Sequence, residues 1–465
     1  MDENEGQGAR LKRFEVEGLF GLFDHVIDFN LDDRITIIHA PNGYGKTVIL
    51  KFIEGFFGGS LSVFRKYEFE KLIFTLSNGV GVSIKQGASD PELFSDRSSE
   101  VRHFTISSTY GGEPVDFNPV RDRGVHGDLI RRFGSNSIER YLPIVRAAPG
   151  IWKDIATQEE MPLREAIERY WDSLPPSMQR HVQGAHPEWL DRVRSAISCQ
   201  LIETQRLQVA RKTEGNYGRS EAAIVPAVRT YAEHLSDAMG RALEEAASLS
   251  QSLDRTFPNR ILGRLHGSRS PYSAAQIRER LAELEALRVR LTHVGFLDQP
   301  EEDVLIPEGE FDTKTKQILT EYVEDARKKL DVYRHLLVRI ELFSEILNSR
   351  FQFKSIVFDR EHGFVFKDLN GRRLDPSDLS SGEQHELILL YDLIFRSKRN
   401  ELILIDEPEI SLHIAWQKRF LSDLQRITSL SPLDVVLSTH SPQLIGARID
   451  LAVRLKGPKD ASAGV

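Results

Sequence analysis

The chain has 465 residues, 40% of them hydrophobic and 28% charged, which is typical of a globular protein with roughly two to four domains. Its formal net charge of -8 argues against a broadly basic surface for nucleic acid, although a local basic groove stays open. It contains no apolar run of about 18 residues that could span a membrane, and its single cysteine, Cys199, excludes an internal disulfide. We expect a cytoplasmic protein with no signal peptide and a disordered segment at residues 1–9.

The first informative element is a nucleotide-binding loop. Strands predicted at 11–16 and 25–29 lead into the β-branched run 35–38, and apolar residues recur at helical spacing after Lys46. The segment between them fits G-x-x-x-x-G-K-[ST], with Ala40 in place of the first glycine, which is tolerable if its φ is negative. Backbone N–H groups would cradle the β-phosphate of ATP, Lys46 would reach the β- and γ-phosphates, and Thr47 would bind Mg²⁺. The predicted cofactor-binding residues here are Asn42, Gly43, Tyr44, Gly45, Lys46, Thr47 and Val48.

The middle of the chain changes character twice. Segments 71–76, 80–85 and 101–107 predict a small antiparallel layer beside the main sheet, and 201–207 predicts a short apolar strand that carries Gln205. From about 226 to 350 the pattern is helical, with a heptad seam from Leu319 to Ile340. This seam predicts either a short coiled-coil-like arm or the core of a small helical bundle.

Strand patterns return after residue 350, and polar motifs follow them. Ser380 and its neighbours precede an apolar helix expected near His385, and they offer an N-cap with unpaired N–H groups as an anion site. The apolar run 402–405 ends in Asp406, placed to bind Mg²⁺, and Glu407, placed to polarise the water that attacks the γ-phosphate. A solvated Asp-Glu turn is the plainer alternative, but the apolar run into the pair disfavours it. A further buried strand ends in His440, which can donate to the γ-phosphate or the water.

In this order, the P-loop, a strand-end glutamine, LSSGEQ, ILIDEP and STHSP resemble the motifs of ABC-type ATPases, in the branch of SMC, RecF and OLD-type proteins. The resemblance covers residues 10–60, 200–207 and 353–455. It implies catalytic roles for Glu407, His440 and Gln205, metal contacts from Thr47, Gln205 and Asp406, and a D-loop at 409–413. It also implies that a signature segment closes over the nucleotide of a second subunit, and therefore a homodimer or larger even homo-oligomer. The signature residues that would contact this nucleotide are Ser380, Ser381, Gly382, Glu383 and Gln384.

The expected fold class is α/β: an ABC-type P-loop ATPase head with a mixed sheet and an antiparallel β layer, plus a helical insertion. The expected boundaries are 10–207 and 351–465 for the two ATPase lobes and 208–350 for the insertion. No TOPRIM nuclease is expected after His440, and size and motifs resemble the ATPase subunit of the PARIS anti-phage system, with Septu and retron ATPases as close competitors. The resemblance implies slow ATP hydrolysis by a homo-oligomeric sensor. Such a sensor would control a separate effector, a TOPRIM-type or other nuclease, in response to a phage-encoded trigger. The alternative is a RecF-like repair ATPase that binds DNA; LSSGEQ and DEPEISLH disfavour a transporter ATPase.

Overall fold

A computed structural model describes most of the chain, in two compact units. The first unit comprises Met1–Thr204, Thr213–Glu221 and Ser397–Val465, and the second comprises Gln205–Lys212 and Ala222–Arg396. The described residues are 8–58, 61, 63–87, 103–109, 114–117, short stretches between 132 and 178, 188–202, 207–214, 220–266, 271–298, 309–411 and 414–458. The predicted disordered segment 1–9 lies outside them except for its last two residues, and so do Gln205 and the D-loop residues Leu412 and His413.

The strands and helices are numbered along the whole chain. The strands are β1 (Leu11–Leu19), β2 (Phe23–Asp28), β3 (Ile35–His39), β4 (Lys71–Leu76), β5 (Gly81–Gln86), β6 (Phe104–Ser108), β7 (Val115–Phe117), β8 (Ile144–Ala148), β9 (Ile151–Asp154), β10 (Glu160–Pro162), β11 (Cys199–Ile202), β12 (Gln208–Glu214), β13 (Ser220–Pro226), β14 (Lys354–Asp359), β15 (Gly363–Asp368), β16 (Arg373–Leu374), β17 (Leu402–Asp406), β18 (Asp434–Thr439) and β19 (Ala452–Arg454). The helices are α1 (Lys46–Gly58), α2 (Val63–Lys66), α3 (Glu188–Ser195), α4 (Ala227–His266), α5 (Ala274–His293), α6 (Thr313–Asn348), α7 (Ser381–Tyr391), α8 (Ile414–Leu430) and α9 (Pro442–Ile445).

A parallel five-stranded sheet in the first unit carries the P-loop, in the order β11-β17-β18-β3-β19. Strands β3, β17 and β18 are buried along nearly their whole length, as continuous apolar runs in parallel sheets usually are. Their register pairs Asp406 with Ser438 and Thr439 with His39. The carboxyl ends of three neighbouring strands therefore meet at one edge of the sheet.

The second sheet of this unit is antiparallel and larger than we predicted. It has six strands in the order β2-β1-β4-β5-β6-β7, because the N-terminal pair β1 and β2 joins it rather than only leading into the P-loop strand. Alternating burial along β4 gives this sheet one apolar face, and Phe74 on that face stacks on Phe56 of α1 at 4.7 Å. The predicted α/β fold class, with an antiparallel β layer and added helices, is confirmed, and the described strands of the P-loop sheet, predicted as mixed, are all parallel.

The second unit combines long helices with a three-stranded antiparallel sheet, β14-β15-β16. Helix α6 packs against both α4 and α5. The heptad seam lies inside this packing, since Leu330, Leu337 and Ile340 on α6 are buried. Because α6 packs against two helices at once, the seam forms the core of a small bundle, the second of the alternatives left by the sequence. Beside it, buried Arg264 of α4 forms ion pairs with Glu321 and Glu324 of α6.

Within the described residues, none of the helices has the length and apolar character needed to cross a lipid bilayer.

Candidate functional site

The P-loop follows β3 and opens α1, as the sequence pattern predicts. Gly43 and Gly45 have φ values of +88° and +83°, in the left-handed region that favours glycine. A Cβ at Gly45 would also lie 2.5 Å from Leu19 Cδ2, so a larger residue there would collide with β1. Ala40 does not have a positive φ, which explains why alanine is tolerated in place of the first glycine.

Lys46 is buried at the start of α1, with only 3% of its side chain exposed. Its Nζ donates to the carbonyl oxygens of Ala40 at 2.9 Å and Pro41 at 3.3 Å and to Asn42 Oδ1 at 3.4 Å. It also lies 3.5 Å from Glu407 Oε1. The ammonium is therefore held at the loop, next to the second acid of the predicted pair.

Thr47 and Asp406 meet directly across the sheet edge. The Thr47 hydroxyl donates to Asp406 Oδ2 at 2.9 Å, and Ser438 Oγ at the end of β18 donates to Oδ1 of the same carboxylate. Thr47 and Asp406 thus supply the hydroxyl and carboxylate oxygens with which P-loop proteins hold Mg²⁺. Among the described residues, no group of three or more His, Cys, Asp or Glu side chains could hold a metal ion. A magnesium site that takes its other ligands from phosphates and water fits this donor set.

Glu407 sits on a strained turn directly after β17. Its φ is +41°, unusual for a residue with a side chain, and its N–H donates to the Ser438 carbonyl at 3.0 Å. The turn aims the half-buried carboxylate between Lys46 and His440, whose Nδ1 lies 3.6 Å from Glu407 Oε1. His440 keeps 43% of its side chain exposed, so it can reach a ligand from this position.

The predicted signature segment lies in the second unit. Helix α7 begins at Ser381, four residues before the predicted start near His385, because Ser380 and Glu383 form a capping box. The segment thus makes the N-cap and first turn of the helix rather than a loop ahead of it. Glu383 is held by Lys354 at 2.8 Å, and Gln384 Nε2 donates to the Leu379 carbonyl at 2.8 Å, whereas Ser381 is exposed.

Partial burial would raise the pKa of Glu383, but hydrogen bonds from Lys354 and Ser380 outweigh it and leave that pKa below its ordinary value. The Glu383 carboxylate therefore stays ionised at neutral pH and fixes the first turn of α7. The side chain of Val48, by contrast, is buried in the core, so only its backbone could face a phosphate.

Gln205 lies outside the described residues, and its predicted role stays a prediction. The strand that precedes it, β11, pairs in parallel with β17, and Ile202 lies opposite Ile405. The strand leading towards Gln205 is therefore next to the strand that ends in Asp406.

The sequence analysis gave no role of their own to three residues of the site: Ser438 of STHSP, Glu409 of the predicted D-loop, and His25. Ser438 was one polar residue in a buried strand, and its link to Asp406 depends on strand order. Glu409 is 6% exposed and accepts hydrogen bonds from the segment around His440. Nε2 of His25, on β2, lies 3.1 Å from the carbonyl oxygen of Tyr44, so this side chain supports the P-loop. Burial lowers the pKa of His25, and the hydrogen bond to Tyr44 acts in the opposite direction.

A protein-family model described as "AAA domain, putative AbiEii toxin, Type IV TA system" matches residues 219–446. The matched range begins after the P-loop and includes the signature segment, Asp406, Glu407 and His440. This part of the chain is thus similar to an AAA-type ATPase domain. A search of the curated proteins found no match.

Solved structures of SMC head domains are also similar to this chain. One is the Pyrococcus furiosus Smc head with an extended coiled coil, bound to the C-terminal domain of ScpA; it is 13% identical, with 94% of this chain and 91% of that chain covered and a TM-score of 0.33. Another is the Thermotoga maritima SMC head domain, which is 12% identical, with 95% and 92% covered and a TM-score of 0.29.

Proposed function

We propose that this chain binds ATP with Mg²⁺ at its P-loop and hydrolyses it slowly. The observation that carries the proposal is the meeting of Lys46, Thr47, Asp406, Glu407 and His440 at the carboxyl ends of three adjacent parallel strands. Open α/β sheets bind ligands at this edge.

Each residue has a distinct task in the proposed reaction. Lys46 exchanges its carbonyl partners for phosphate oxygens, which are stronger acceptors because they are charged. Thr47 and Asp406 would hold Mg²⁺, which neutralises phosphate charge when bound. Glu407 orients the attacking water and accepts its proton, and His440 helps to position that water. Gln205 completes the set as a proposed contact to metal and water.

Binding of ATP by the Lys46→Ala variant tests the phosphate site. Titration calorimetry should show affinity weakened at least about tenfold, since the variant loses a charge-assisted contact worth about 1.5–3 kcal/mol. Lys12→Ala is the matched control, because Lys12 is an exposed lysine of the same unit. Equal affinity for ATP in Lys46→Ala and in the control would refute the assignment of the phosphate site to this loop.

We further propose that the chain works as a homodimer or larger even homo-oligomer, in which the signature segment of one copy completes the site of another. The exposed Ser381 at the start of α7 supports this, since the first N–H groups of a helix have no partners within the helix. The two motifs also belong to different units of one chain.

The biological role we propose is a cytoplasmic sensor in anti-phage defence, which controls a separate effector, a nuclease. The description of the matching family names a putative toxin of a type IV TA system. Because such a system has two components, this supports a role together with a second protein. The purified chain should hydrolyse ATP, leave DNA uncut and co-purify with a nuclease encoded by a neighbouring gene. DNA cleavage by the chain alone would overturn this role. Tight binding of duplex DNA that depends on ATP and weakens with salt would overturn it as well.

A further inference from the structure

A carboxylate at the start of the predicted D-loop, to which the proposed chemistry gives no task, contacts residues 439–441 around His440. Glu409 follows β17 in a short 3₁₀ turn, Pro408–Ser411, and only 4% of its side chain is exposed. A buried carboxylate is costly unless it is well hydrogen-bonded. The contacts that hold it therefore indicate its role.

One oxygen of Glu409 accepts three hydrogen bonds from residues 439–441, around His440. Oε1 accepts hydrogen bonds from Thr439 Oγ1, from the His440 N–H at 2.9 Å and from the Ser441 N–H at 3.2 Å. Oε2 is buried, and it has no hydrogen-bond partner in the described part of the chain. Gln417 of α8 closes the cluster, since it donates to the Glu409 carbonyl at 3.3 Å and accepts from Ser441 Oγ at 3.1 Å.

Two carboxylates lie near the imidazole of His440, and that of Glu409 is the nearer. His440 Nδ1 lies 3.2 Å from Glu409 Oε1 and 3.6 Å from Glu407 Oε1. Only the first distance is close to the normal range of a hydrogen bond. The pair lies at ion-pair distance and is not aligned as a hydrogen bond, but a carboxylate this close to Nδ1 favours the proton there and leaves Nε2 as an acceptor, because the partner of one ring nitrogen influences the state of the other.

We propose that Glu409 is a positioning residue for ATP hydrolysis. It holds the main chain at 439–441, keeps the proton of His440 on Nδ1 and thereby orients the ring. Glu407, relieved of that task, stays available for the attacking water. This inference rests on the proposed function for its role in catalysis, but the tautomer that it assigns to His440 is a property of the protein alone.

The tautomer is tested first, by NMR of protein with ¹⁵N-labelled histidine at alkaline pH, where imidazoles are neutral. The His440 ring signals are identified by their loss in His440→Gln. We expect the Nδ1–H form in the wild type and a shift towards Nε2–H in Glu409→Gln, which keeps the size of the side chain and loses the charge. The control is Glu401→Gln, another buried glutamate, bonded to Ser198 Oγ at 2.8 Å at the start of β17. An Nε2–H wild type, or a tautomer unchanged in Glu409→Gln, would overturn the inference.

A double-mutant cycle then tests whether Glu409 acts through His440. Glu409→Gln should lower kcat roughly 10–100-fold, the range for partners that orient a functional histidine, with the ATP Kd unchanged. In the His440→Ala background it should lower kcat less than about threefold, because groups that act through each other are not additive. Equal losses in the two backgrounds would refute the positioning role. A wild type that does not hydrolyse ATP would instead refute the proposed function, and the tautomer measurement would still decide the role of Glu409.

Discussion

Lys46 is buried, so its charge needs acceptors at all times. Its own loop supplies them through the carbonyl oxygens of Ala40 and Pro41, and Glu407 lies 3.5 Å away. These contacts keep the ammonium beside the position proposed for the phosphates, so little reorganisation is needed when ATP binds. Its removal also takes a positive charge from the neighbourhood of Glu407, and a Lys46 variant therefore perturbs both binding and chemistry.

His25 makes the stability of the first unit depend on pH. Because burial lowers its pKa in the folded protein below the ordinary 6.5, the unfolded chain binds more protons than the folded chain in the window just below 6.5. The free energy of unfolding should fall as pH decreases through that window. In His25→Gln this fall should be smaller, as measured by urea unfolding on either side of the window. The chain has 14 histidines, so the comparison between the two proteins isolates His25. An equal fall in both proteins would show that His25 does not contribute.

The sequence was enough to predict which residues lie at the strand ends of the site. It was not enough to predict which residues form hydrogen bonds to them. Asp406, Glu407 and His440 each end or follow an apolar run, so their position was visible without the fold. The contacts of Ser438 and Glu409 arise because β17 and β18 are neighbours with Asp406 opposite Ser438. Strand order and register are long-range properties, and a single sequence does not state them.

For helices and strands, the local sequence patterns predicted the type of each element, but they did not predict which elements lie next to it. The capping box at Ser380 and Glu383 was in the sequence, yet the helix was expected to begin later because its apolar pattern starts only after the polar first turn. The strands before the P-loop were expected, but their place in the six-stranded sheet depends on pairing with β4, far along the chain. The heptad pattern of α6 was compatible with a coiled-coil-like arm and with a bundle core, because the same helix face is buried in both.

The burial of this seam gives a prediction for the second unit. Leu337 on α6 is fully buried, so Leu337→Ala should lower the free energy of unfolding by about 2–5 kcal/mol, from lost transfer energy and a cavity. Leu262→Ala on α4 is the matched control, because that leucine is 54% exposed and should cost within about 0.5 kcal/mol. Chemical denaturation measures both. A similarly small loss in both variants would contradict a buried core position for Leu337.

At the scale of the whole molecule, the P-loop and the signature segment belong to different compact units of the chain. The P-loop unit presents the acids and His440, and the other unit presents the first turn of α7. If hydrolysis needs both, as we propose, oligomerisation itself becomes a control on ATP turnover. Such a control suits a protein that reports a signal to a separate effector.

Mixing two inactive variants tests whether copies share a site. Ser381→Arg should abolish hydrolysis and leave ATP binding at a single P-loop nearly intact, because Ser381 is exposed on the unit that lacks the P-loop. An equal mixture with Lys46→Ala should recover about a quarter of wild-type turnover, since half of the dimers are mixed and each holds one intact site of two. No recovery, in mixtures shown to contain mixed dimers, would contradict a shared site.

Hydrolysis at the proposed site is tested by ATP turnover of Glu407→Gln, measured beside the amount of ATP that the same protein retains. The substitution keeps the shape of the side chain and removes the base that accepts the proton of water. We predict that phosphate release falls roughly 10²-fold or more, while ATP stays bound at the wild-type level. Lys46→Ala, which should fail at binding, controls for a contaminating ATPase. Wild-type turnover in Glu407→Gln would show that Glu407 is not the base and that the base lies elsewhere.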